Sequence, residues 1–253
     1  MNNISNSPLL EYFERIEIVH VPSRVDRYHK LVKELQHIGI DIDDSRVSIQ
    51  HGFCADSADG YSSPQVRGGL LSHLSVLQRA LKDDCRRVLI LEDDAIFRTS
   101  LRDFSAQRKL IEQIKNCAWD ILFLGHPISN QIKNQPKGII ETSTLFNWAH
   151  CYAVNQSVLP DLVKYLQASD LRPAGHTDGG KMYIDGGLNM FRARSGDVCS
   201  AISNPALSVQ RGSPSGIANH RWYEAYSFIS FFSDAARNVR DELWRRTGFF
   251  GTK

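Results

Sequence analysis

Apolar residues fall into short runs separated by stretches of helical periodicity along most of the chain. Ile16, Ile18 and Val19 give residues 15–22 the β-branched bulk of a short strand, and Pro22 stops it. Tyr28, Leu31, Val32, Leu35 and Ile38 then recur at three- and four-residue spacings. They predict a helix over 25–38, with Gly39 where a helix commonly ends. Residues 46–50 read as the next strand, so the chain opens in β-α-β order.

Residues 54–69 are polar and rich in glycine and serine, the composition of an open loop. Leu70, Leu74, Leu77 and Leu81 follow on one helical stripe, with Gln78, Arg79 and Lys82 on the wet side. Val88, Leu89, Ile90 and Leu91 form an unbroken apolar run, as expected of a central strand covered on both faces. That run stops abruptly at Glu92, Asp93 and Asp94. Further on, 110–114 fits a helix face and 121–124 a second buried strand closed by Gly125, His126 and Pro127. After a polar excursion over 129–143, residues 149–154 predict a strand and 158–166 a helix. Regularity fails over 171–187, where five glycines accompany Asp178 and Asp185, and a mobile or ligand-ordered loop is expected. Residues 228–244 read as a terminal helix. No internal repeat interrupts the series.

The expectation is an α/β fold, a central mostly parallel or mixed sheet flanked by helices, in one domain over 1–253. Composition agrees, with 42% hydrophobic and 23% charged residues. The five cysteines are widely separated, with no CxxC pair, which argues against a zinc knuckle, a redox dithiol or a disulfide framework. Residues 1–10 are polar rather than signal-like, and no run of about 18 apolar residues occurs, so a cytoplasmic protein is expected. A net charge of +2 is too balanced to suggest a nucleic-acid partner. Only the C-terminus departs from this balance. Arg237, Arg240, Arg245, Arg246 and Lys253 crowd beside Trp244, Phe249 and Phe250, a mixture that suits peripheral contact with an anionic membrane or a basic surface helix around a buried tryptophan.

Three carboxylates directly after a buried strand are costly unless they meet solvent, a cation or hydrogen-bond donors. Ligands of open α/β sheets bind at such strand ends. A divalent cation there would relieve the repulsion and could bridge two phosphate groups. Asp94, at the tip, is the leading metal ligand and Glu92 the second. Alternation along a strand lets these two point together while Asp93 points away. An exposed acidic turn is the bland alternative.

The ordered set of segments resembles the bacterial lipopolysaccharide glycosyltransferase family, glycosyltransferase family 25, which includes β-galactosyltransferases and is related to collagen galactosyltransferases. The matching pieces are Pro22-Ser23-Arg24-Val25-Asp26-Arg27, Gly68-Gly69-Leu70-Leu71-Ser72-His73-Leu74-Ser75 and Ile90-Leu91-Glu92-Asp93-Asp94-Ala95. Trp119-Asp120-Ile121-Leu122-Phe123-Leu124-Gly125 and His150-Cys151-Tyr152-Ala153-Val154 complete them. The resemblance implies a GT-A-like nucleotide-sugar-binding fold, a UDP-sugar donor, a Mn²⁺ or Mg²⁺ ion, and inversion at the anomeric carbon. It implies a donor site containing Arg24, Asp26, Arg27, Ser72, His73, Glu92 and Asp93, with Asp94 and Glu92 on the metal. Arg24 or Arg27 would meet a phosphate or ribose, and Asp26 would order an arginine. Asp185 resembles the family's reaction-centre aspartate and is the expected base, with Asp178 its rival. Gln210 to Ile217 resembles a family segment that usually carries an aspartate where this chain has Gly216.

Transfer of a hexose, galactose first, to a glycan or lipid-linked oligosaccharide is the activity this resemblance implies. An acidic strand end also suits a metal-dependent phosphohydrolase or nucleotidyltransferase. The Gly216 departure leaves room for a non-catalytic carbohydrate-binding protein that keeps the fold.

Overall fold

The computed structural model describes residues 7–127, 132, 134–145, 147–211 and 239–247. Helix α1 (Pro8–Tyr12) leads into strand β1 (Arg15–His20), helix α2 (Val25–His37) and strand β2 (Val47–His51), the β-α-β order expected. Gly39, just past α2, has φ +77°, the left-handed geometry in which glycine is favoured. Helix α3 (Pro64–Lys82) and strand β3 (Arg87–Glu92) bring the chain back into the sheet. Strand β4 (Ala95–Phe97), a 3-10 turn (Thr99–Arg102), helix α4 (Phe104–Lys115) and strand β5 (Ile121–Phe123) come next. They are followed by β6 (Gly138–Glu141), β7 (Cys151–Asn155), α5 (Leu159–Leu171), α6 (Ile184–Arg194), β8 (Ser200–Asn204) and β9 (Ser208–Gln210). Residues 239–247 are helical and are called α7.

Seven strands form one sheet in the order β2-β1-β3-β7-β5-β8-β6. β1 pairs parallel with β2 and β3, and β5 with β8, whereas β7 runs antiparallel to β3 and β5 and β6 antiparallel to β8. The sheet is therefore mixed. Its covering follows strand alternation. Leu89 and Leu91 of β3 and Cys151 and Ala153 of β7 pack with α1, α2 and α4 on one face. Val88 and Ile90 with Tyr152 and Val154 pack with α3, α5 and α6 on the other. A two-stranded ribbon, β4 with β9, lies beyond the end of β3. This is a central mixed β-sheet flanked by α-helices, consistent with a GT-A-like α/β fold.

Two boundaries differ from expectation for identifiable reasons. α3 begins at Pro64 and not near Leu70, because the Ser63 hydroxyl accepts from the Val66 amide and Pro64 occupies the first turn. Gly68 and Gly69, which read as loop, lie inside the helix. A side chain at Gly68 would put its Cβ 2.1 Å from the Phe53 carbonyl oxygen, so the glycine permits a close approach between helix and loop. The irregular stretch 171–187 also ends early, with Asp185, Gly186 and Gly187 in the first turns of α6. A Cβ on Gly187 would stand 2.9 Å from Leu166 of α5, which shows how tightly these two helices pack.

Candidate active site at the strand ends

The C-terminal ends of β1 and β3 lie side by side, with Val19 opposite Glu92. Glu92 continues the alternation of Val88 and Ile90 and so faces α3. Its carboxylate lies 3.4 Å from Nε2 of His73, whose Nδ1 is 3.0 Å from the Tyr152 hydroxyl. The His73 and Tyr152 rings stack at 5.8 Å between centroids. Burial works against the charge on Glu92, but the hydrogen bond from His73 beside it holds the carboxyl below its ordinary range.

Asp93 points to the opposite face. Its Oδ2 accepts from the Val21 amide at 2.9 Å and lies 2.8 Å from His20 Nδ1, and its Oδ1 takes Arg27 at 3.1 Å. With these partners Asp93 fastens β3, β1 and α2 together. After it the chain turns into β4 and the strand alternation ends. Asp94 accordingly reaches the same Arg27 guanidinium at 3.1 Å instead of standing apart from it, and its Oδ2 takes Gln210 of β9 at 3.2 Å. Its Oδ1 is buried without a hydrogen-bond partner. Burial and the neighbouring Glu92 charge raise the Asp94 carboxyl to about 7, with Arg27 opposing.

Asp185 enters from a distant part of the chain, at the N-terminal turn of α6, with its Oδ1 accepting from the Gly186 amide at 2.8 Å. Burial raises its pKa, and the Glu92 charge adds to the rise while His73 acts against it. Asp185 thus shares an electrostatic neighbourhood with Glu92 and His73. Asp178 does not: its side chain is half exposed and pairs with Arg194 at 2.5 Å. Arg24 forms a two-pronged ion pair with Asp26, at 2.9 and 3.0 Å, and feels the charges of Asp93 and Asp94. Asp26 is itself exposed and lowered by that pairing.

Ser72 is occupied elsewhere. Its hydroxyl donates to the Gly68 carbonyl at 2.6 Å and accepts from the Phe53 amide at 2.9 Å, pinning the loop after β2 to α3. His150, just ahead of β7, accepts the Glu92 amide on its backbone oxygen at 2.9 Å. Both its ring nitrogens are buried without a well-formed hydrogen bond, and burial lowers its pKa to about 4, with the Glu92 charge and then the Ser208 backbone acting the other way. A Cβ on Gly125 would lie 2.3 Å from the His150 Nε2, so this glycine makes room for the ring. His20, Tyr152 and Gln210 belong to the same assembly and were not singled out as site residues from sequence. Their signal is weak because each lies in a strand, where periodicity marks it for packing. Gly216 lies outside the described residues.

Among the described residues, no group of three or more histidine, cysteine, aspartate or glutamate side chains is assembled to hold a metal ion. The unpartnered Asp94 Oδ1 and the nearby Glu92 offer two carboxylates. That set fits a hard divalent cation that takes its remaining oxygens from water and a diphosphate. No helix among the described residues is long and apolar enough to cross a membrane.

Fold and site define an α/β protein with a cluster of carboxylates at the ends of its central strands. Residues 66–170 match the model of glycosyltransferase family 25, described as an LPS biosynthesis protein. No curated protein matches the chain. Among solved structures it is similar to a glycosyltransferase involved in glycosylation of the major capsid of PBCV-1, at 11% identity and TM-score 0.38, over 90% of this chain and 99% of that one. It is also similar to A197 from STIV, at 10% identity and TM-score 0.37, over 82% and 99%. A third is a putative glucose-1-phosphate thymidylyltransferase from Bacillus anthracis, in complex with a sucrose, at 14% identity and TM-score 0.35, over 74% and 68%.

Proposed function

We propose that this protein is a glycosyltransferase that moves a hexose, galactose as first choice, from a UDP-sugar to a glycan or lipid-linked oligosaccharide with inversion. The observation that carries this reading is that Glu92 at the end of β3 acts electrostatically on both Asp94 and Asp185 of α6, while Arg27 pairs with Asp94 and Arg24 feels its charge. The match of residues 66–170 to glycosyltransferase family 25 supports it.

In this reading the acceptor hydroxyl attacks the anomeric carbon and passes its proton to a carboxylate of Asp185, whose raised pKa suits a general base. The bond from that carbon to the diphosphate oxygen breaks, and the electron pair leaves with the diphosphate. Arg24 and Arg27 lie where the departing negative charge collects and stabilise it electrostatically. Asp94 and Glu92 would hold a Mn²⁺ or Mg²⁺ ion, which supplies further charge stabilisation to the diphosphate when bound. Asp93 keeps Arg27 and the β1 end in place, and Asp26 orients Arg24.

The test is a thermal-shift screen of UDP-sugars with and without Mn²⁺, followed by product analysis with oligosaccharide acceptors. A metal-dependent shift with UDP-galactose and release of UDP coupled to an elongated glycan is the expected outcome. Hydrolysis independent of acceptor would favour a phosphohydrolase, and no shift with any nucleotide sugar would favour a non-catalytic carbohydrate-binding protein.

A further inference from the structure

Tyr152 is fully buried in the middle of the sheet, beside Phe123 and below the acidic strand end. A phenol in so apolar a place ordinarily costs free energy unless its hydroxyl is paired. Here it meets Nδ1 of His73 at 3.0 Å. Burial drives the phenol pKa upward, so the hydroxyl keeps its proton and can donate it. The other ring nitrogen of His73 faces a Glu92 oxygen at 3.4 Å. An ionised carboxylate only accepts, so the nitrogen facing it must carry hydrogen. In a neutral ring this leaves Nδ1 as the acceptor, which is what a donating Tyr152 requires. The two contacts therefore specify one tautomer, Nε2–H.

We propose that Tyr152 is a positioning residue of this site: by donating to His73 Nδ1 it fixes the ring orientation and the Nε2–H tautomer that hold the Glu92 carboxylate at the strand end. This rests on the reading of the acidic strand end as the donor site. The route runs from a core strand through a helix to the acidic strand end, and its two supporting members are firmly seated. β7 is paired on both sides, and His73 is buried in α3. Glu92 itself remains partly open, with 25% of its side chain exposed, and so can meet a ligand while held from behind. A metal-ligating or phosphate-facing carboxylate gains from such support because its orientation is fixed before the ligand arrives.

Two measurements test the proposal, and one of them needs no ligand. Nitrogen-15 NMR of labelled histidine should show His73 as the Nε2–H tautomer in the wild-type protein, and as a mixture or as Nδ1–H in Tyr152→Phe. A wild-type Nδ1–H tautomer, or one unaffected by Tyr152→Phe, overturns the proposal whatever the protein transfers. Calorimetry with UDP and Mn²⁺ is the second arm. Tyr152→Phe should weaken UDP binding by about tenfold, a scale typical of groups that orient a metal ligand. His73→Gln retains a donor toward Glu92 without reaching Tyr152, so in that background Tyr152→Phe should cause no further loss. Equal losses in both backgrounds would mark Tyr152 as a packing residue and overturn the assignment. If wild-type protein binds no UDP at all, the proposed function fails, while the tautomer measurement still decides the role of Tyr152.

Discussion

Asp94 and Asp185 are both carboxylates with raised pKa values, yet their partners differ, and so should the effects of losing them. Asp94 shares Arg27 with Asp93 and offers one unpartnered oxygen. Asp94→Ala should therefore weaken Mn²⁺-dependent UDP-sugar binding by about 2 kcal/mol or more, read by calorimetry on the folded variant. Wild-type affinities for donor and metal would remove its role as ligand. Among the described residues Asp185 pairs with no arginine, and its Oδ1 accepts from the Gly186 amide. Asp185→Asn keeps that hydrogen bond but cannot take a proton, so single-turnover transfer should fall by about 100-fold or more with donor affinity retained. A near-normal rate would exclude it as the base. His150 gives a pH test of the folded core. Its folded pKa of about 4 lies below the ordinary 6.5, so the unfolded chain binds the extra proton between those values and stability is lost as pH falls through that window. The loss attributable to this one ring is on the order of 3 kcal/mol. Urea titrations at steps from pH 7 to pH 4 should show a shallower decline in His150→Asn than in the wild type. The acidic triplet was legible in sequence because four apolar residues precede it. The supports behind it were not: Tyr152 alternates as a core residue should, and nothing local says that a helix will bring His73 to its hydroxyl.

At the level of elements, α3 shows both what periodicity reveals and where it stops. Leu70, Leu74 and Leu77 lie on its buried stripe as their spacing requires. Its first turn was hidden by Gly68-Gly69, because paired glycines lower helix propensity and resemble a loop. The structure resolves the pair into two different roles. A Cβ at Gly68 would collide with the Phe53 carbonyl, whereas at Gly69 it would meet nothing within 4 Å, and neither has a positive φ. Gly69→Ala should therefore stabilise the protein by about 0.5–1 kcal/mol, by reducing the freedom of the unfolded chain and favouring helix. Gly68→Ala should destabilise it by about 1–3 kcal/mol through overpacking. Urea denaturation of the two variants checks the opposite signs, and a gain at Gly68 would show that the loop after β2 yields easily. The same glycine ambiguity placed Asp185 in a loop, whereas it opens α6. The three-residue strands β4 and β9 were beyond reach for a related reason, since their pairing joins residues far apart in sequence and leaves no period to read.

Across the whole molecule, the C-terminal helix connects the tail to the back of the site. Trp244 of α7 is fully buried with Ile96 of β4 and Val209 of β9, and Arg98 lies over its ring at 5.9 Å. On the same helix Asp241 and Arg245 join Arg211 and Glu34 in an ion-pair network, and Glu34 lies on α2, the helix that also carries Arg27. Of the two readings of the basic aromatic tail, the described part follows the one with a tryptophan inside the protein. Phe249 and Phe250 lie outside the described residues. These positions can be separated by experiment. Trp244→Ala should destabilise the protein by about 3–5 kcal/mol, the usual cost of emptying a buried aromatic site, without any vesicle being present. Deleting residues 248–253 should leave the urea midpoint nearly unchanged, since the buried ring and the ion pairs to Glu34 and Arg211 remain. Any association with anionic vesicles, measured by sedimentation at low and physiological salt, should then be lost in the deletion and kept by folded protein bearing the intact tail. If the deletion binds vesicles as the full chain does, the tail is not the membrane contact; if Trp244→Ala is as stable as wild type, α7 does not form part of the core and its link to the acidic strand end through α2 falls with it.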